Sequence, residues 1–159
     1  MRNGGHVSTF EAGRAIIQDQ MRIGGTALPW ADRTLYAQLM LSWEMRSFAE
    51  TQSAAGPVLF DRGAPDVVGY LRLCGLEVPP PIGAAAGLLR YDPVVFIAPP
   101  WREIFTGDAE RKQDFAEAVR THDALAAVYG ELGYRLVELP RADIEQRADF
   151  MLERLAATA

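Results

Sequence analysis

Four short apolar runs, separated by longer stretches of helical periodicity, are the feature that most limits how this chain can fold. The runs span residues 7–10, 58–60, 94–98 and 135–139. The second and third are apolar without alternation, which is typical of strands covered on both faces. Strands that alternate with helices predict an α/β domain with a mostly parallel sheet.

The periodic stretches predict the helices that connect these strands. Three long helices are expected over residues 30–54, 108–132 and 143–157, and shorter ones over 12–22, 65–73 and 82–88. The first long helix carries an apolar stripe with 3.6-residue spacing, made of Tyr36, Leu39, Met40 and Trp43. Asp143 with Gln146 three residues later resembles a capping box. His122 lies on the apolar stripe of the second long helix, where we expect it to be packed in the core.

Composition excludes several classes of protein. The chain has 159 residues and 17.5 kDa, which predicts a single domain over 1–159. A net charge of −5 argues against a general nucleic-acid partner, because binding to phosphate backbones requires a basic face. No apolar run approaches the ~18 residues that a membrane span needs. One cysteine, Cys74, provides neither a disulfide framework nor a cysteine-based zinc site. We therefore expect a cytoplasmic protein.

Charged residues follow the first two apolar runs directly, and ligands of parallel sheets bind at the carboxyl ends of strands. Glu11 and Arg14 follow the first run, and either face a ligand or place an acid at a helix start beside a solvated arginine. Asp61 and Arg62 follow the second run. An acid at a strand end is typical of a carboxylate that holds Mg²⁺, and the arginine beside it suits a phosphate or carboxylate. The alternative is that Asp61 caps a turn.

A rigid, then aromatic, then basic segment follows the third run, with cations at Arg102, Arg111 and Lys112. Cations in a closing loop stabilise transferring phosphates, so the segment has the composition of a lid. The alternative is a solvated helix face on which Glu110 and Asp114 neutralise these cations.

Taken together, these segments resemble the small bacterial predicted ATPases of the AAA family. Those proteins are P-loop proteins related to nicotinamide riboside kinase and, more distantly, to thymidylate-kinase-like domains. The resemblance covers nearly the whole chain. The strings that carry it are FEAGRAII at 10–17, VLFDRGAPD at 58–66, RYDPVVF at 90–96, APPWREIF at 98–105, DAERKQDF at 108–115 and LGYRLVELP at 132–140.

The resemblance implies a three-layer α/β fold, ATP and Mg²⁺ as cofactors, and phosphoryl transfer to water or to a small-molecule acceptor that it does not identify. It also implies roles for individual residues. Asp61, Arg62 and Arg111 would be catalytic, with Asp61 holding Mg²⁺. Glu11, Arg14 and Asp66 would bind the substrate, and Arg102 and Lys112 would belong to the lid.

The chain departs from the family in one large respect. The family opens with a strand, a Gly-x-x-x-x-Gly-Lys-[Ser/Thr] loop and a helix, and no such string occurs in these 159 residues. In the family's strand order, 2-3-1-4-5, the missing strand is the central one, next to the runs at 58–60 and 94–98. We expect Met1 to be an internal methionine of a longer reading frame, or the gene to have lost its start. Two hypotheses follow for the function. One is an ATPase or kinase in the complete form, and the other is a non-catalytic remnant that acts as a binding or interaction module.

Overall fold

The computed structural model describes residues 7–105 and 114–157, and within it the chain forms two compact units. Unit 1 is Met1–Arg90 and unit 2 is Tyr91–Ala159. Each unit contains one pair of parallel strands with helices between and after them. The predicted α/β class is therefore confirmed within each unit.

Unit 1 holds two strands and four helices. They are β1 (Val7–Ser8), α1 (Ala12–Ile23), α2 (Arg33–Thr51), β2 (Val58–Leu59), α3 (Ala64–Leu73) and α4 (Pro80–Leu88). The strands β1 and β2 pair in parallel, with Val7 opposite Val58 and Ser8 opposite Leu59. The helix α1 ends at Gly24, whose φ of 69° lies in the left-handed region that glycine adopts without a steric penalty.

The core of unit 1 is formed by the apolar faces of these helices. The helices α1 and α2 meet in one buried cluster of Ala12, Ile16, Ile17, Leu28 and Tyr36. The helix α3 is apolar on most of its surface and fully buries Leu71. Asp32 begins α2 by accepting a hydrogen bond from the Leu35 N–H at 2.9 Å, as an N-cap residue does.

Unit 2 consists of β3 (Val94–Ile97), a short 3-10 turn (Arg102–Ile104), α5 (Phe115–Glu131), β4 (Arg135–Glu138) and α6 (Ile144–Ala156). The strands β3 and β4 pair in parallel, with Val94 opposite Arg135 and Ile97 opposite Glu138. Side-chain caps begin both helices. Asp114 accepts from the Glu117 N–H at 2.7 Å, and Asp143 accepts from the Gln146 N–H at 2.8 Å. The expected cap at Asp143 is therefore confirmed.

The observed elements agree with the sequence predictions in position and differ in extent. All four strands are one or two residues shorter than the apolar runs, and α2 is shorter at both ends than the predicted 30–54. Residues 108–113 of the long helix predicted over 108–132 lie outside the described residues. The strand pairing also differs from the one mostly parallel sheet that the sequence predicts, because the strands of the described residues form two separate pairs. The three-layer arrangement and the single domain stay predictions.

No helix within residues 7–105 and 114–157 has both the length and the apolar character needed to cross a membrane.

The fold of unit 1 predicts a contrast between two leucines. Leu71 is fully buried, whereas Leu88 at the end of α4 is 78% exposed. We expect Leu71→Ala to lower the free energy of unfolding by about 2–5 kcal/mol, since it leaves a cavity in a packed core. The matched control Leu88→Ala should change it by less than about 0.5 kcal/mol. Urea unfolding, followed by far-UV circular dichroism, measures both. Equal losses for the two variants would contradict this core.

Candidate functional site

The pairing of β1 with β2 brings two charged segments to one edge of the small sheet. Beyond the ladder, the Thr9 N–H donates to the Leu59 carbonyl at 2.9 Å, and the Asp61 N–H donates to Thr9 Oγ1 at 3.3 Å. Since the strands are parallel, Glu11 after β1 and Asp61 after β2 leave the sheet at the same end. This is the place where α/β proteins bind ligands.

The segment after β2 forms a tight turn into α3. Arg62 adopts a φ of 86°, and it is the one non-glycine residue at positive φ in the described part of the chain. Asp66 holds the turn closed, because its Oδ2 accepts from the Gly63 N–H at 3.0 Å. Its other oxygen, Oδ1, lies 3.3 Å from Nη1 of Arg62. A strained arginine held by a carboxylate is an arrangement that often occurs at functional sites.

A fourth acid, which the sequence analysis missed, lies beside this turn. Glu44 on α2 is only 3% exposed and is the one buried charged residue in the described parts of the chain. The helix α2 packs along α3, and ring contacts join it both to α3 and to the segment that follows β2. Tyr36 meets Tyr70 with ring centroids 5.4 Å apart, and Phe48 meets Phe60 at 6.2 Å. Glu44 lies two turns after Tyr36 and one turn before Phe48, so this alignment places it opposite the turn that follows Phe60.

The surroundings of Glu44 disfavour its charged form. Burial makes the largest contribution, and the carboxylates of Asp66, Asp61 and Glu11 add to it. The Arg62 guanidinium opposes them but has the smallest effect. Together they raise the pKa of Glu44 from its ordinary value of 4.5 to about 8. At neutral pH the folded protein therefore holds a proton on this side chain.

The same cluster acts on Arg62 in the opposite sense. Burial tends to lower the pKa of the Arg62 guanidinium, but Asp66, Glu11 and Asp61 outweigh burial and raise it. Arg62 therefore stays charged at every physiological pH. Its side chain keeps 40% of its surface exposed, so it remains accessible to an anionic ligand group.

The predicted site residues do not all lie in the same unit. Glu11, Asp61, Arg62 and Asp66 come together in unit 1, where they act electrostatically on Glu44. Arg14 lies exposed on the first turn of α1, three residues after Glu11. Arg102 belongs to unit 2, where its guanidinium carbon lies 4.2 Å from the centroid of the Phe115 ring. Two predicted lid residues, Arg111 and Lys112, lie outside the described residues.

The sequence carried a signal for Glu44 that the stripe analysis did not use. Glu44 follows Met40 by four residues and Tyr36 by eight, so it continues the apolar stripe of α2. An acid at a core position of an amphipathic helix is rarely left buried without a partner or a role. The structure shows this acid beside the charged turn.

The carboxylates of unit 1 fit a magnesium ion only if most of its other ligands come from a substrate and water. Within the described ranges, no group of three or more His, Cys, Asp or Glu side chains is arranged to hold a metal ion. Mg²⁺ usually keeps several waters and takes one or two carboxylates together with substrate phosphates. The exposed Asp61 carboxylate at the strand end fits that limited role.

Unit 2 contains a cavity of about 350 Å³ with mostly apolar walls that include aromatic rings. Its lining includes Trp101, Phe105, Phe115, His122 and Arg147. His122 is not simply packed in the core as expected, because 21% of its side chain stays exposed and it lines this cavity. Its Nδ1 lies 3.1 Å from Oδ1 of Asp123, while its enclosed Nε2 has no hydrogen-bond partner within the described residues. Apolar and aromatic walls that carry two polar side chains, His122 and Arg147, suit a planar ring that has a polar edge.

The raised pKa of Glu44 makes stability depend on pH in a specific window. In the folded protein Glu44 binds a proton up to about pH 8, whereas in the unfolded chain it loses the proton near 4.5. The free energy of unfolding should therefore fall as pH rises through this window, by at most about 1.4 kcal/mol per pH unit. In Glu44→Gln this contribution should vanish. Chemical unfolding between pH 5 and 9 measures it.

The matched control for this measurement is Glu50→Gln on the same helix. Glu50 is exposed and pairs with Arg46 at 2.7 Å, so its replacement should leave the pH dependence unchanged. A wild-type protein whose stability does not fall more steeply than that of Glu44→Gln would contradict the assignment.

Comparison with known proteins places this geometry in a family. A family model described as an AAA domain matches residues 2–147, which is most of the chain. No curated protein and no solved structure matches this chain. The match includes both strand pairs, the charged turn after β2 and the helix that carries Glu44. The chain therefore belongs to the AAA domain family of P-loop nucleotide-binding proteins.

Proposed function

We propose that this protein is a P-loop ATPase or a small-molecule kinase whose acceptor site lies in unit 1. The observation that carries the proposal is the Arg62–Asp66 pair, held in a strained turn at the carboxyl end of β2 beside Glu11 and Asp61. Family membership supports the nucleotide-binding class. The proposal includes a three-layer arrangement of the whole fold and a cytoplasmic location, where ATP is available.

Each residue of the cluster has a role that follows from its position. Arg62 binds an anionic group of the substrate, because its guanidinium is charged and partly exposed. Asp66 orients Arg62 and closes the turn. Glu11, with Arg14 three residues later, lines the same strand edge and contacts the acceptor.

Asp61 would hold Mg²⁺ together with phosphate and water oxygens. When bound, the ion supplies positive charge that neutralises the phosphates during transfer. Arg111, Arg102 and Lys112 are proposed as lid cations that approach the transferring group, by analogy with P-loop kinases.

The printed sequence lacks the Gly-x-x-x-x-Gly-Lys-[Ser/Thr] loop that supplies most phosphate contacts in P-loop proteins. ATP binding by this polypeptide is therefore the decisive property. If the chain shows neither measurable ATP binding nor turnover, that result favours the second function, which is a non-catalytic binding or interaction module. A chain that binds ATP with Mg²⁺ favours the ATPase or kinase.

The proposal predicts the effects of two substitutions in the cluster. Arg62→Gln should weaken Mg²⁺–ATP-dependent turnover by about 10- to 100-fold, because a hydrogen bond to a charged group contributes about 1.5–3 kcal/mol. Asp61→Asn should raise the Mg²⁺ concentration needed for half-maximal turnover, since it removes one ionised ligand. Steady-state phosphate release, measured across a Mg²⁺ titration, tests both.

The matched control is Asp19→Asn, an exposed aspartate on α1 outside the cluster. It should leave turnover and Mg²⁺ dependence at wild-type values. If wild-type chain turns over ATP and the two cluster variants do so equally well, the site assignment is wrong. If the wild-type chain neither binds nor hydrolyses ATP, the function proposed for this polypeptide is wrong.

The cavity of unit 2 adds a separate proposal about the nucleotide. We propose that it receives the adenine ring, because stacking on a wall side chain such as Trp101 and a hydrogen bond at His122 Nε2 suit a planar ring with a polar edge. Adenosine should quench the fluorescence of Trp101, and His122→Leu should weaken adenosine binding by about 2- to 12-fold, the value of one neutral hydrogen bond.

Trp30 and Trp43 also fluoresce, so the measurement needs Trp101→Phe as its control. That variant should lose the quenching while it keeps the remaining emission. Quenching that persists in Trp101→Phe would place adenosine elsewhere.

A further inference from the structure

His122 on α5 lines the cavity of unit 2 with half of its hydrogen-bonding capacity unused. Its Nδ1 lies 3.1 Å from Oδ1 of Asp123, the next residue in the helix. Its Nε2 is buried, and no group within residues 7–105 and 114–157 forms a hydrogen bond with it. A buried polar atom without a partner is uncommon, because it has lost its contact with water and gained none with protein. A ligand that supplies a partner to Nε2 removes that loss.

Asp123 decides which ring nitrogen of His122 carries the hydrogen. An ionised carboxylate has no hydrogen to donate, so the contact at 3.1 Å is a hydrogen bond only when Nδ1 donates. The other neutral tautomer would set the lone pair of Nδ1 against the lone pairs of Oδ1. Since the bond made by one nitrogen of a neutral imidazole fixes the role of the other, Nε2 is bare and can only accept. Asp123 is 70% exposed and does not line the cavity, so it acts on a ligand only through His122.

The other polar side chains in the described wall of the cavity are donors. Trp101 has an indole N–H, and Arg147 has a guanidinium with five N–H groups and no acceptor. The remaining side chains of this wall are apolar. The cavity thus presents one side-chain acceptor, His122 Nε2, among donors and apolar carbon. Its complement is a planar ring with several acceptors and one donor group.

We propose that Asp123 is a positioning residue that fixes the tautomer of His122, and that Nε2 of His122 accepts a hydrogen bond from the exocyclic amino group of a 6-aminopurine in the cavity. The inference rests on the proposed function, because it names the residues and the ring atom that select the base. Adenine has one amino group and several ring nitrogens that accept, so it matches the wall. A purine without an N–H at this edge leaves Nε2 unsatisfied.

The other protonation states of His122 predict a different selectivity. If Nε2 carried a hydrogen, as in the second tautomer or in the imidazolium ion, it would donate. An amino group would then meet a second donor, and a purine with an oxo group at the same ring position would be preferred. Selectivity among amino, methyl and oxo groups at one ring position therefore reports the state of His122 in the complex.

The test uses the whole chain without ATP or Mg²⁺, at pH 8, and three probes that differ at one ring position. They are adenosine, 6-methylpurine riboside and inosine. The methyl compound keeps the shape of adenosine but has no N–H to donate, and inosine has an oxo group there. Isothermal titration gives each dissociation constant, and thermal unfolding verifies that every variant is folded. Glu153→Ala, which replaces an exposed acid on α6 outside the cavity wall, is the matched control for Asp123→Ala.

We expect wild type and Glu153→Ala to bind adenosine about 2- to 12-fold more tightly than 6-methylpurine riboside, the value of one neutral hydrogen bond. Inosine should bind no more tightly than the methyl compound. In His122→Leu the ratio of the two affinities should fall to about one. In Asp123→Ala the ratio should also fall, while the affinity for the methyl compound stays unchanged, and Asp123→Glu should restore the preference.

Nitrogen-15 NMR measures the tautomer directly, which a purely structural role of Asp123 would not change. In chain labelled at histidine, a ring nitrogen that carries hydrogen is distinguished from a bare one, and His122→Leu separates the signals of His122 from those of His6. Wild type should show hydrogen on Nδ1 and a bare Nε2. Asp123→Ala should populate the other tautomer, and adenosine should shift the Nε2 resonance more than the methyl compound does.

Four results would overturn the proposal. They are a hydrogen on Nε2 in wild type, equal binding of adenosine and the methyl compound, tighter binding of inosine than of adenosine, and a preference for adenosine that persists in folded His122→Leu or Asp123→Ala. Absence of adenosine binding rejects it together with the adenine site. A chain that binds adenosine with this preference but does not turn over ATP rejects the ATPase or kinase function alone. A chain that turns over ATP without this preference rejects only the present inference.

Discussion

The short parallel pairing of β1 with β2 is the contact on which the site in unit 1 depends. Each strand contributes only two residues to the ladder, but the hydrogen bonds from Thr9 to Leu59 and from Asp61 to Thr9 Oγ1 extend the contact past the strand ends. A slip of one residue would turn alternate side chains to the opposite face and separate the charged segments. Register is therefore a condition for the chemistry of this unit, and the buried helices α1, α2 and α3 hold the strands in place.

Much of the fold followed from periodicity, because the chain separates strand and helix signals with Gly and Pro. The four apolar runs became the four strands, and the Asp143 cap was readable from spacing alone. The lengths of the strands were less predictable. Residues such as Phe60 and Leu139 are apolar but lie beyond the last ladder residue, because chain direction after a strand is set by the following turn and not by hydrophobicity. The division into two units has no local signal, since it depends on which distant segments pack together.

The candidate site was predictable where position along the chain determines position in space. Residues that directly follow parallel strands must meet at one edge, so Glu11, Asp61 and Arg62 could be grouped without coordinates. Glu44 could not be grouped in this way, because its place depends on how α2 crosses α3. The spacing of Glu44 from Tyr36 and Met40 carries an unused signal that this acid faces inward, but only the packing shows which charges surround it. The role of His122 was missed for a similar reason, since a cavity wall and a filled core give the same apolar spacing.

The burial of Glu44 links the stability of unit 1 to its electrostatics. The neutral acid avoids the larger cost of the ionised form, which would lie beside three carboxylates and gain only a weak contribution from Arg62. An alanine or leucine at the same position of the helix stripe would pack without this penalty. The free energy lost by burying an acid there must be offset by other contacts. The fully buried Leu71 and Ala64 of α3 contribute to that offset. Arg62 is held by Asp66 in a turn where its φ is positive. It cannot move to neutralise Glu44 without breaking the Asp66 hydrogen bonds that begin α3. At neutral pH a proton on Glu44 therefore avoids the repulsion that Arg62 does not offset, and the stability of unit 1 is coupled to the ionisation of a single buried carboxyl group.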